Sequence, residues 1–176
     1  TTSSAIAVFK NGKPIIIPNQ EGKKFTPSVV AFTRKGEVAV GTPALLQAAT
    51  NPDRTIFSIK RQLGTDWQTV IDGSNYTAVD SAVLICKSLK QDAERYLERK
   101  VVEAVVAVPA YFDVQQRLAL YDAAQEAGFK VLRLVAEPTA AALSYGLDAS
   151  YKRIVAVYDL GGGTFDISLL TTGDGV

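Results

Sequence analysis

The sequence predicts an α/β protein in which a mixed β-sheet is flanked by helices. Three observations predict it. The opening third reads as a β-meander with tight turns. The middle carries one long amphipathic helix. The remainder alternates strand with helix, the pattern of parallel pairing.

The elements follow in order. Ala5–Phe9 is apolar and extended. Asn11-Gly12 then gives a type I′ hairpin, because both central positions need positive φ. Ile15–Ile17 returns, Pro18 ends the strand, and Asn19–Gly22 turns. Strands are expected over Ser28–Phe32 and Val38–Val40. Thr42-Pro43 reads as an N-cap with proline at the first helical position. A short helix is expected over Ile56–Leu63, stopped by Gly64, and Asp72-Gly73 marks a second hairpin. The longest helix spans Ala78–Glu98, with Thr77 and Asp80 as a capping-box variant. Its expected buried stripe is Ala82, Cys86, Leu89, Ala93 and Tyr96, leaving Lys87, Lys90, Glu94 and Glu98 to water. Val101–Val108 is a strand. A helix follows over Val114–Ala127, capped by Asp113 and stopped by Gly128. Phe129–Val135 is a strand, Pro138–Tyr145 a short helix closed by Gly146. Ile154–Tyr158 and Phe165–Leu170 flank a glycine turn.

Composition excludes several functions. With 176 residues and 47% hydrophobic content, the chain can bury a real core. A net charge of +1 argues neither for a nucleic-acid footprint nor for an acidic partner. There is no histidine, and Cys86 is the single cysteine. An internal disulfide, a histidine/cysteine zinc site and a histidine-dependent triad are therefore excluded. No apolar run is long enough for a bilayer and no signal-peptide pattern opens the chain, so no membrane role and a reducing, cytoplasmic setting are expected. Thr1-Thr2-Ser3-Ser4 runs straight into a strand pattern, and Val176 stops just after another. The chain is expected to be trimmed at both ends.

The strongest chemical signal is Asp159-Leu160-Gly161-Gly162-Gly163-Thr164-Phe165-Asp166, between two apolar strands. Three glycines let successive amide N–H groups point at one spot, a concavity that binds phosphate. Thr164 adds a hydroxyl. Asp159 and Asp166 bracket the turn, and carboxylates beside a phosphate are the usual company of Mg2+. The bland alternative is a glycine-rich hairpin with solvated aspartates. The motif lacks the lysine-serine ending of a P-loop, and a strand rather than a helix follows it. Thr1-Thr2-Ser3 is a second, weaker candidate turn. The Gly163–Leu170 segment resembles Thr2–Val8, with hydroxyl residues at the mouth of a strand. Either the fold has two similar halves that share a cleft, or strand-entry turns simply look alike. By themselves, Lys60 reads as a solvated lysine, Glu137 as a helix-N-terminal acid and Cys86 as core packing.

Taken together, TTSSAIAV, EGKKFTPSVVAF, TNPDRTIFSIKRQLG, LKQDAERYL, EAVVAVPAYFD, EPTAAALSYGLD and AVYDLGGGTFDISLL resemble the heat-shock protein 70 family, closest to the bacterial DnaK type. The resemblance covers nearly the whole chain. It implies an actin-like ATPase (ribonuclease H-like) lobe with a small outer α+β subdomain. Residues 1–29 and 78–151 would form the inner subdomain, 30–77 the outer one, and 152–176 the opening hairpin of a second lobe. The rest of that lobe and a peptide-binding domain are expected outside these residues.

The resemblance also implies roles. Thr1 and Thr2 are similar to the end of the first phosphate loop, and Gly161, Gly162, Gly163 and Thr164 to the second. Lys60 is similar to the catalytic lysine, Glu137 to the acid that orders water and the Mg2+ shell, and Asp159 and Asp166 to carboxylates near the metal. Pro109, Arg117 and Arg133 are similar to positions that relay nucleotide state or dock a co-chaperone. ATP or ADP with Mg2+, and K+ as a further candidate, are the implied cofactors. Unfolded polypeptides, a J-domain co-chaperone and a nucleotide exchange factor are the implied partners. Rival readings are a sugar or acetate kinase, an actin-like filament protein, and a family member without ATPase activity.

Overall fold

The computed structural model describes residues 2–146 and 152–173. Strands β1 (Ser3–Ser4), β2 (Ala7–Lys10), β3 (Lys13–Ile16), β4 (Thr26–Pro27), β5 (Val30–Phe32) and β6 (Val38–Val40) make the meander. Helix α1 (Thr42–Gln47) and strands β7 (Thr55–Ile56), β8 (Gln68–Ile71) and β9 (Ser74–Thr77) follow. Then come α2 (Ala78–Leu97), β10 (Glu103–Val108), α3 (Val114–Glu126), β11 (Lys130–Ala136), α4 (Glu137–Ser144), β12 (Arg153–Leu160) and β13 (Phe165–Thr172).

Both senses of strand pairing occur, as an α/β fold of mixed topology requires. β10 and β11 run parallel across the α3 crossover, whereas the hairpins β2–β3, β8–β9 and β12–β13 are antiparallel. Among the described residues the strands fall into six small sheets, not one continuous sheet. Both hairpin turns adopt the backbone their residues favour: Asn11 and Gly12 sit at φ 52° and 74°, Asp72 and Gly73 at 52° and 78°.

One apolar core joins the small sheets to the long helices. Val30, Phe32, Ile56 and Leu63 meet Ala82, Val83 and Ile85 of α2, and Ala119, Ala123 and Ala124 of α3. The residues assigned to the outer and inner subdomains thus share this core. Small side chains on α2 and α3 let the two helices approach closely. Each helix begins with a reciprocal capping box, Thr77 with Asp80 and Asp113 with Gln116. No described helix is long and apolar enough to cross a membrane.

Several local expectations change. The N-cap of α1 is Gly41, at φ 79°, and Thr42 already lies inside the helix with no capping bond. A Cβ on residue 41 would come within 2.9 Å of Thr26, so the close approach selects glycine there and pushes the cap back by one. The segment Ile56–Leu63 is not a helix. Ile56 belongs to β7, Ser58 is left-handed at φ 53°, and a single 3-10 turn covers Ile59–Arg61. Tyr96 is exposed, because the buried stripe of α2 rotates toward Ser81, Val83, Ile85 and Asp92. Lys90 and Glu94 are half-buried, not solvated: they pair at 2.5 Å, and Lys90 also lies over the Phe129 ring.

Candidate functional site

The site is assembled from four short segments. Lys60 sits on the 3-10 turn, which buried Ile59 anchors in the core. Glu137 is the first residue of α4, where β11 ends. These two residues are far apart in sequence, yet Lys60 Nζ donates to Glu137 Oε1 at 2.5 Å. About a quarter of each side chain remains accessible, 25% and 28%, so a ligand can reach the pair.

The glycine turn closes β12 onto β13. Gly161 N–H donates to the Thr164 carbonyl at 2.9 Å. The register sets Leu160 against Phe165 and, one step back, Asp159 against Asp166. Like charges directly opposite each other are destabilising, and a cation between them removes the cost. Asp159 and Asp166 line a cavity of about 570 Å³ together with Glu137, Pro138, Pro109 and Tyr111. Three of the named carboxylates therefore face one space. Among the described residues no three acidic, histidine or cysteine side chains converge closely enough to hold a metal directly.

The two turns singled out in the sequence touch. A Cβ on residue 162 would lie 2.8 Å from Thr2 Oγ1, so glycine lets the Thr2 hydroxyl rest against the turn backbone. Thr2 is itself tethered: its carbonyl accepts from Ser28 N–H at 2.9 Å, and the hydroxyls of Ser4 and Ser28 lie 2.8 Å apart. Gly161, Gly162, Gly163 and Thr164 do not line the cavity of the carboxylates. Thr1 lies outside the described residues.

The three remaining residues divide. Pro109 is buried and lines the cavity. Arg117 holds the loop beside it, donating to the Phe112 carbonyl at 2.8 Å and to the Ala110 carbonyl at 3.0 Å. Arg133 is exposed on β11 and belongs to neither that cavity nor the contacts around Lys60. Tyr111 carried no role in the sequence. It stands in the same cavity, and its hydroxyl pKa is pushed above the ordinary tyrosine value by burial first, then by the negative charges of Asp166 and Glu137. The one available signal was its place in the strand-end segment Val108-Pro109-Ala110-Tyr111-Phe112.

Glycines that admit a hydroxyl, opposed carboxylates and a lysine held by an acid define a class: an α/β lobe with the makings of a phosphate and cation site. The chain matches the family model described as Hsp70 protein over residues 1–72 and 68–176, which together span it from end to end. It belongs to the Hsp70 family, and its fold is that of an actin-like ATPase lobe. The family consists of chaperones that in general bind nucleotide with Mg2+, have ATPase activity, and bind unfolded polypeptides and co-chaperones.

Proposed function

We infer that this chain supplies the Lys60–Glu137 side of an ATP-hydrolysing site in a DnaK-type chaperone of the cytoplasm, serving protein folding and the stress response. One observation carries the reading. Lys60 and Glu137 pair across the fold beside a cavity into which Asp159 and Asp166 also face.

The residues fit the nucleotide and its metal. Gly162 lets the Thr2 hydroxyl stand against the turn backbone, and the opposed Asp159 and Asp166 bring two negative charges to one face of the hairpin. Bound Mg2+ would neutralise charge on the terminal phosphates, with Asp159, Asp166 and Glu137 holding it through water. Lys60 presents its ammonium to the γ-phosphate and the attacking water. Glu137 fixes where that ammonium points and accepts a hydrogen bond from the same water. The Gly161 amide closes the turn on the Thr164 carbonyl, and the amides of Gly162 and Gly163 with the hydroxyls of Thr2 and Thr164 donate to phosphate oxygens. Phosphoryl transfer asks mainly for positioning and charge neutralisation, and these groups supply both.

Pro109 lines the same cavity as Glu137, and Arg117 clamps the loop that follows Pro109, which supports a relay role for the two. Lobe closure on ATP biases an interdomain equilibrium through such a contact. The client polypeptide engages a further domain, and a J-domain partner and an exchange factor act on the cycle.

Single-turnover hydrolysis by the protein that contains this chain tests the reading. Lys60→Ala is expected to lower the rate by about 10²–10³-fold, the range for removal of one preorganised charge-stabilising donor, while nucleotide affinity changes far less. A variant that hydrolyses ATP at the unmodified rate overturns it.

A further inference from the structure

Among the described residues, four other than glycine hold a positive φ: Asn11, Ser58, Asp72 and Glu98. Three have a local reason. Asn11 and Asp72 open the two-residue hairpin turns, where their residue type is favoured. Glu98 follows α2 in the left-handed conformation with which helices commonly end. Ser58 has no such reason. It precedes the 3-10 turn Ile59–Arg61 at φ 53° and ψ 30°, where an N-cap is normally extended, and its side chain makes no capping bond. Serine is not among the residues enriched in this region. A residue held there against its preference is over-determined by its surroundings, and such positions cluster where function needs a fixed geometry.

The strand before it shows what the conformation does. β7 buries Ile56 opposite Val30 and leaves Phe57 exposed. Continued in extended form, the chain would send Ile59 outward with Phe57 and Lys60 inward with Ile56. The left-handed step at Ser58 reverses that phase. Ile59 enters the core, and Lys60 emerges to meet Glu137 Oε1 at 2.5 Å. The turn then closes on itself. The Ser58 carbonyl accepts from Arg61 N–H at 3.0 Å, and the Ile59 carbonyl from Gln62 N–H at 2.8 Å. Buried Ile59 and Leu63 fasten it to the core on either side of Lys60.

We propose that Ser58 is a positioning residue for hydrolysis: its left-handed backbone, not its hydroxyl, aims Lys60 at Glu137 and at the terminal phosphate. The inference rests on the nucleotide reading above and adds to it the residue that sets where the lysine points.

Substitutions that differ in their tolerance of positive φ separate backbone from hydroxyl. The assay is single-turnover ATP hydrolysis by the protein that contains this chain. Ser58→Gly and Ser58→Asn accept the conformation without the hydroxyl, and both should stay within about twofold of the unmodified rate. Ser58→Val is β-branched and resists it. It should slow hydrolysis at least about tenfold, because misplacing a reacting group by about 1 Å can cost about 10²-fold. Calorimetric titration with Mg-ATP should show affinity changing far less than the rate. Where the thermal midpoint shows Ser58→Val unfolded, Ser58→Ala takes its place, with a smaller slowing in the same direction. In a Lys60→Ala background neither should slow hydrolysis further, since the group they misplace is gone, whereas a merely structural role would slow both backgrounds alike. Three results overturn the proposal. They are Ser58→Gly and Ser58→Asn as slow as Ser58→Val, the valine or alanine variant at the unmodified rate, and equal slowing with and without Lys60. An unchanged rate for Lys60→Ala alone would instead overturn the nucleotide reading, and this inference with it.

Discussion

The α2–α3 core and the β12–β13 hairpin are both built from apolar residues, yet they use them in opposite ways. In the core, Leu63, Val108 and Ala123 keep no more than 1% of their surface, and Phe112 and Phe129 close the gaps. On the hairpin, Ile154, Tyr158 and Leu169 keep 79%, 68% and 73%. The registers Ala156↔Leu169 and Tyr158↔Ile167 place the exposed apolar residues on one face. The hairpin is held chiefly by its own ladder and by α4. Yet it contributes Asp159, Asp166 and the glycine turn. The comparison teaches that rigidity and chemistry are divided: the packed region holds Lys60 and Glu137 in place, and the lightly packed one brings opposing groups to them. Loosely packed elements are the ones that move in nucleotide switches.

Matched truncations are the sharpest way to break this comparison. Leu63→Ala should cost about 2–5 kcal/mol, the transfer term plus the cavity left in a packed interior. Leu169→Ala removes the same atoms from an exposed face and should stay within about 0.5 kcal/mol. Denaturant midpoints of the two variants measure the difference. Equal losses would mean that the hairpin face is covered, and the division would fail.

A second pair of variants adds one methyl to each region. At Gly64 a Cβ meets the Gln116 backbone nitrogen at 2.8 Å, and φ is +77°, a conformation that L residues rarely adopt. Neither atom can give way cheaply, so Gly64→Ala should cost about 2–3 kcal/mol. At Gly162 a Cβ comes equally near, 2.8 Å, but to the Thr2 hydroxyl, on an exposed side chain that can turn aside. Gly162→Ala should leave the thermal midpoint nearly unchanged and weaken nucleotide binding by the protein that contains this chain. The reverse pattern would show that the Thr2 contact is structural.

Legibility in the sequence follows the same division. Features set by local chemistry were readable. Asn11-Gly12 and Asp72-Gly73 need positive φ, and Thr77 and Asp113 satisfy open N–H groups whatever surrounds them. Features set by packing were not. Thr42 looked like a cap until the approach of Thr26 reserved Gly41 for that position. Ile56 to Leu63 held enough apolar residues for a helix, but β5 claims Ile56 as a strand partner. Asp159 and Asp166 were visible as a bracket around glycines, since the hairpin is local. Their facing Tyr111 and Glu137 depends on how β10, β11 and β12 meet, which no spacing encodes. The family motifs supplied Lys60, because nothing in its immediate neighbours distinguishes it from a solvated lysine.

The smallest expected effect lies at the end of α2 and tests whether the packed region extends to its rim. Glu94 accepts from Lys90 Nζ at 2.5 Å and from the Val101 N–H at 3.0 Å, so it ties the helix to the chain entering β10. These bonds, the lysine first, hold its pKa below the ordinary glutamate value of 4.5. A carboxylate depressed in the folded state stabilises above its unfolded value and loses that contribution as pH falls through its folded value. Glu94→Gln should therefore be the less stable protein at neutral pH, by a small margin that suits an accessible pair. The gap should close as pH is lowered from about 4.5, because protonated glutamate and glutamine then offer Val101 and Lys90 similar neutral acceptors. Urea midpoints of both proteins across that window measure it. A gap that stays constant down to the lowest pH would show that the charge of Glu94 contributes nothing and that the carbonyl contact with Val101 alone fastens this corner.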